Sequence, residues 1–130
     1  MTRHGTMLVV EDDPSVRELV VAVLKDLGFS PLAAADALAG LKILRAAPPI
    51  DLLITDIGLP DMNGQEMVKR ALVLRPDLKI LFMTGYTETD DPLEPGSELI
   101  AKPFSIDALA AHIQHMLKGE TEEKTEGFFL

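Results

Sequence analysis

The chain is 130 residues long, with 47% hydrophobic and 25% charged residues, which leaves room for one core and lies outside disordered or fibrous compositions. A net charge of −9 argues against nucleic acid or an anionic membrane surface as a direct partner, because both would repel it. The absence of cysteine removes disulfide frameworks and thiolate metal sites, and the cytoplasm is the expected compartment.

Residues 1–6 read as a polar leader, and the apolar run Met7 to Val10 is too short for a signal-peptide core, so export is not expected. That run reads instead as a strand buried on both faces. Val16, Leu19, Val20, Val23, Leu24 and Leu27 then recur at helical spacing, with Asp13 placed to cap, Pro14 at the first helical position and Gly28 as the stop. Leu19 to Leu24 is the longest aliphatic stretch, far short of the roughly 20 residues that span a bilayer.

Ser30 to Ala34 is a weak second strand and Asp36 to Arg45 a second helix, closed by Pro48 and Pro49. Leu52 to Thr55 form a third strand running into Asp56. Asn63 followed by Glu66 predicts a capping box for a helix carrying Met67, Val68, Ala71 and Leu72. Ile80 to Thr84 and Glu98 to Ala101 are the last two strands, and Ser105 caps a final helix whose Ile106, Leu109, Ala110, Ile113, Met116 and Leu117 share one side. Glu120 to Leu130 has no usable period and is expected to fray.

Alternation of strand and helix implies a doubly wound parallel sheet covered on both faces, with ligands beyond the carboxyl ends of the strands. Glu11 and Asp12 follow the first strand, Asp56 the third, Thr84 ends the fourth and Lys102 follows the fifth, so all five reach one rim. Three converging carboxylates repel one another, and an oxygen-only donor set that must be compensated points to a hard cation, Mg²⁺. A carboxylate on Mg²⁺ beside an ammonium and a hydroxyl is equipped for phosphoryl transfer, with Asp56 as nucleophile, Lys102 as the point charge on phosphate and Thr84 as hydrogen-bond donor.

In these motifs the chain resembles the receiver domains of two-component response regulators. Val9-Val10-Glu11-Asp12-Asp13 is similar to the family's acidic pair, Asp56-Ile57-Gly58-Leu59-Pro60-Asp61-Met62-Asn63-Gly64 to its phosphoacceptor loop, and Thr84-Gly85 and Lys102-Pro103-Phe104 to its remaining two motifs. The resemblance implies a flavodoxin-like five-stranded sheet of order 2-1-3-4-5 and a cis peptide before Pro103. It further implies that Asp12 and Asp56 bind Mg²⁺ directly, Glu11 through water and Gly58 through its carbonyl. The phosphoryl group would come from a histidine kinase or a histidine phosphotransfer protein, and the chain would act mainly as a signalling protein that assists its own phosphorylation and later hydrolysis. The expected organisation is a leader at 1–6, a receiver domain at 7–118 and an acidic tail at 119–130.

Two features depart from the family pattern. Leu99 stands where most receivers carry the aromatic residue that responds to the threonine, with Tyr86 two residues after Thr84 as a partial substitute. Gly85 to Ser97 holds Pro92 and Pro95, so the fourth helix should be reduced or missing, as in receivers of hybrid sensor histidine kinases. A free-standing regulator fits equally. These departures motivate an alternative, a pseudo-receiver that binds a protein partner without phosphorylation. His112 and His115 share a helix but lack a further ligand and read as surface residues.

Overall fold

The computed structural model describes residues 5–46, 49–85 and 93–129, with side chains as far as residue 117. Its elements run β1 (Thr6–Val10), α1 (Pro14–Asp26), β2 (Ser30–Ala34), α2 (Ala37–Ala46), β3 (Leu52–Asp56), α3 (Gly64–Leu74), β4 (Lys79–Thr84), β5 (Glu98–Ala101) and α4 (Ile106–Phe129). All strand pairs are parallel, in the order β2-β1-β3-β4-β5. The doubly wound architecture expected from alternation is therefore present.

Strand alternation sorts the core into two. Leu8, Val10, Leu53, Ile80 and Phe82 point to one face, where they meet Leu41 and Leu44 of α2 and Met67, Val68 and Ala71 of α3. Met7, Val9, Leu52, Ile54, Leu81 and Met83 point to the other, against Val20, Val23 and Leu24 of α1 and Leu109, Ile113 and Met116 of α4. Because both faces are covered, β1 and β3 are apolar almost throughout, and each such fully buried side chain contributes about 1.5 to 3 kcal/mol.

Helix ends follow local chemistry. Asp13 caps α1 by accepting from the Ser15 amide at 2.9 Å, Pro14 stands at its start, and Gly28 leaves it with φ of 92°. Gly40 lets α2 close on the sheet, since a Cβ there would meet Val10 Cγ2 at 2.8 Å. Asn63 accepts from the Gln65 amide at 2.7 Å, while Glu66 pairs forward with Arg70 at 3.3 Å instead of closing the predicted box, the i,i+4 cation being its nearer partner. Ser105 Oγ accepts from the Ala108 amide at 3.0 Å, and the adjoining Ile106, predicted to face the core, is 55% exposed at the first turn.

One stretch differs from expectation and another meets it. The helix continues to Phe129 through residues expected to fray, because Glu and Lys sustain a helix and no proline interrupts them. Between β4 and β5 the described residues contain no helix. Glu94-Pro95-Gly96-Ser97 make a turn closed by the Ser97 amide on the Glu94 carbonyl at 3.0 Å, with Gly96 at φ of 85°, the pattern of a type II turn. Leu99 is partly buried and packs on the α2/α3 side. Tyr86 lies outside the described residues.

Candidate functional site

Strand pairing delivers the five predicted side chains to one rim. The ladder extends past the strand ends: the Glu11 amide donates to the Ala34 carbonyl at 3.0 Å, the Ile57 amide to Met83 at 3.1 Å and the Lys102 amide to Thr84 at 2.6 Å. Asp56 pairs in register with Met83, and Thr84 with Ala101, so Thr84 stands one residue beyond the neighbour of Asp56 and one before Lys102. The Lys102–Pro103 peptide is cis.

Ligand atoms of Glu11, Asp12 and Asp56 lie within 4.8 Å of one another. Glu11 is fully buried, Asp56 nearly so, and Asp12 faces solvent. Lys102 Nζ donates to Glu11 Oε1 at 2.6 Å and lies 3.4 Å from Asp56 Oδ2. The second oxygen of each acid meets a backbone amide, Glu11 Oε2 that of Asp13 at 3.0 Å and Asp56 Oδ1 that of Gly58 at 3.3 Å. Arg17, unremarked in the sequence, donates from Nη1 to the Glu11 carbonyl at 2.8 Å and so fixes the chain that carries the acid pair.

One ammonium faces three carboxylates, and the protonation equilibria reflect the deficit. Burial pushes the Glu11 carboxyl up, and its hydrogen bonds to Lys102 and Asp13 do not fully offset this. Burial pulls the Lys102 ammonium down, but Glu11 and Asp56 outweigh it and hold the group above its ordinary value. The surplus negative charge, the purely oxygen donor set and the open side at Asp12 fit a hard cation that retains some of its water.

The loop after Asp56 is tightly held. Gly64 donates to the Ile57 carbonyl at 2.7 Å, Gly58 and Asn63 form an isolated antiparallel bridge, and a Cβ on Gly64 would fall 2.2 Å from the Asp56 carbonyl oxygen. At the loop's apex Asp61, to which the sequence assigns no separate role, accepts from the Ala37 and Leu38 amides, both at 2.9 Å. Desolvation pushes the Asp61 carboxyl up, but these amides and its own outweigh it and hold the group below the ordinary carboxylate value. No local sequence signal marks this contact, because only the fold brings Asp61 to the start of α2.

Beside Lys102 an apolar groove of about 360 Å³ is lined by Val16, Leu19, Pro103 and Phe104. A cavity of about 450 Å³ lies at the opposite, amino end of the strands, among Met7, Phe29, Ile50 and Leu78. His112 sits away from the rim, 2.6 Å from Glu98, and His115 is exposed. Among the described residues Glu11, Asp12 and Asp56 form the one group of three potential metal ligands.

Comparison with known proteins matches residues 7–114 to the response regulator receiver domain family. The response regulator receiver protein CpdR of Brucella abortus is 32% identical over 117 residues, covering 85% of this chain and 95% of that protein. The sensor kinase CckA of the same organism is 30% identical over 91% of this chain, which spans only 13% of the kinase. The crystal structure of a CheY-like receiver domain protein from Methanospirillum hungatei superposes with a TM-score of 0.84 at 30% identity, covering 93% of this chain and 99% of that one.

Proposed function

Because the chain belongs to the response regulator receiver domain family, we propose that it is a phosphoacceptor switch of a two-component relay, taking a phosphoryl group on Asp56. The observation that carries this reading is the convergence of Glu11, Asp12 and Asp56 around Lys102 at the carboxyl rim of the sheet. Glu11, Asp12, Asp56 and the carbonyl of Gly58 would hold Mg²⁺, Glu11 through water. Bound there, Mg²⁺ supplies positive charge against the carboxylates and the phosphoryl oxygens.

An Asp56 carboxylate oxygen attacks the phosphorus of a phosphohistidine; the P–O bond forms as the P–N bond breaks, and the imidazole leaves with a proton from solvent. Lys102, already 3.4 Å from Asp56 Oδ2, neutralises a phosphoryl oxygen, and the Thr84 hydroxyl donates to another. Water later hydrolyses the acyl phosphate, so the chain assists both its gain and its loss.

The donor is a histidine kinase or a histidine phosphotransfer protein, and the apolar groove beside Lys102 supports docking of its helix next to Asp56. With such a donor, the exchange is placed in the cytoplasm. Among the described residues no helix is long and apolar enough to cross a membrane, and the net charge of −9 supports a protein rather than a nucleic-acid partner.

The test is intact mass after incubation with Mg²⁺ and acetyl phosphate, beside Asp56→Asn and a chelated sample. A phosphoryl adduct that needs Mg²⁺ and vanishes in the variant supports the reading. No adduct from acetyl phosphate or from a phosphohistidine donor would overturn it in favour of a phosphorylation-independent binding module.

A further inference from the structure

We propose that Asp61 is a positioning residue for the cation site, clamping the loop that follows Asp56 to the start of α2. The inference rests on the function proposed above and adds a residue that touches neither the cation nor the phosphoryl group.

The first three helical amides of α2 are satisfied by two aspartates of different origin. Asp36, next to the helix in sequence, accepts from the Ala39 amide at 2.8 Å. Asp61, more than twenty residues away, takes Ala37 on Oδ1 and Leu38 on Oδ2. A carboxylate is suited to this because its two oxygens accept side by side and its charge is favoured at a helix amino end. Both bonds cross between elements, so they hold a loop against a helix as well as capping it.

The segment that Asp61 grips leads directly to the acids. Three residues before α2 begins, at the end of β2, the Ala34 carbonyl accepts from the Glu11 amide at 3.0 Å. On the other side the loop is fixed at its base by the Gly64 amide on Ile57 and by the bridge between Gly58 and Asn63. Leu59 is buried, and Met62 packs on the α2/α3 core. Asp61 thus closes a ring from Asp56 through the loop to the start of α2, back through residues 35–36 to Ala34 at the end of β2, and across to Glu11. With the ring closed, Gly58 is held both by its bridge to Asn63 and by the tie of the loop's apex to α2; with it open, only the bridge and the Gly64–Ile57 bond at the base hold it.

Asp36 supplies the control, because its removal weakens the same helix end without releasing the loop. Mg²⁺ affinity, measured by calorimetric titration with magnesium chloride, is compared with thermal midpoint for the parent chain, Asp61→Ala, Asp61→Asn and Asp36→Ala. Asp61→Ala is expected to weaken Mg²⁺ binding by about tenfold, the scale on which outer-shell supports of metal sites act. Asp61→Asn, keeping one acceptor oxygen, should fall between it and the parent. Asp36→Ala should lower the midpoint and leave affinity near the parent value. Equal loss of affinity in Asp36→Ala and Asp61→Ala, or parent affinity in Asp61→Ala, would overturn the inference while leaving the proposed function standing. Failure of the parent chain to bind Mg²⁺ would overturn both.

Discussion

Replacing Asp12 by Asn should make the metal-free protein more stable while removing its response to Mg²⁺. The ligand atoms of Glu11, Asp12 and Asp56 lie within 4.8 Å of one another, where two unit charges repel by about 1 kcal/mol in bulk water and about 3.5 kcal/mol at an effective dielectric of 20. Asp12 faces solvent, so the lower figure is the closer guide, and it acts against two neighbours. After subtraction of the lost attraction to Lys102, about 1 kcal/mol of relief remains. For a domain of this size that is a rise of about 3 to 5 °C in thermal midpoint. The assay is thermal unfolding by circular dichroism in a chelator at low salt, then at high salt, then with Mg²⁺. The gain should shrink at high salt, and added Mg²⁺ should raise the parent's midpoint but not the variant's. A variant that melts at or below the parent in chelator and low salt would refute the premise that the acids are held together against their repulsion.

Three further outcomes follow from other contacts. Gly64→Ala places a methyl 2.2 Å from the Asp56 carbonyl oxygen and should cost about 1 to 3 kcal/mol in urea unfolding; a neutral result would mean that the loop yields freely. Because the Asp61 carboxyl is held below its ordinary value, its contribution is present above the unfolded-state pKa and lost as pH falls through the folded one. The stability gap between the parent and Asp61→Ala should therefore be widest near neutrality and close in acid, and a gap that widens in acid would reverse the assignment. Leu19→Glu, in the groove beside Lys102, should slow phosphorylation by a phosphohistidine protein while leaving acetyl phosphate labelling intact; equal loss with both donors would place Leu19 in the chemistry or the fold rather than in docking.

Much of the fold was legible because strand ends and helix starts carry local signals. Met7 to Val10 and Leu52 to Thr55 are apolar runs that end in acids, and Asp13-Pro14 and Ser105 are caps whose donors lie within three residues. The convergence of Glu11, Asp12, Asp56 and Lys102 follows from parallel strands ending at one rim. Arg17 and Asp61 were not legible, because what they touch is set by tertiary placement. Arg17 bonds a backbone carbonyl rather than a charge, and Asp61 bonds amides of another element. Ile106 fits a core stripe by periodicity, yet in the first turn of α4 it is left exposed. Glu66 suits both a capping box and an i,i+4 pair, and only the position of Arg70 decides between them.

The division of the interior by the sheet has an evolutionary consequence. Odd-numbered Met7 and Val9 serve the α1/α4 side, even-numbered Leu8 and Val10 the α2/α3 side, and the backbone of β1 lies between them. Substitutions on opposite sides share no side-chain neighbours, so their energetic effects should combine almost independently. Under the proposed function, the side bearing the groove beside Lys102 can then drift to match a new donor while the other side, with the proposed Asp61 clamp, keeps the acids in place. A lineage built this way can change whom it listens to without relearning how to hold the message.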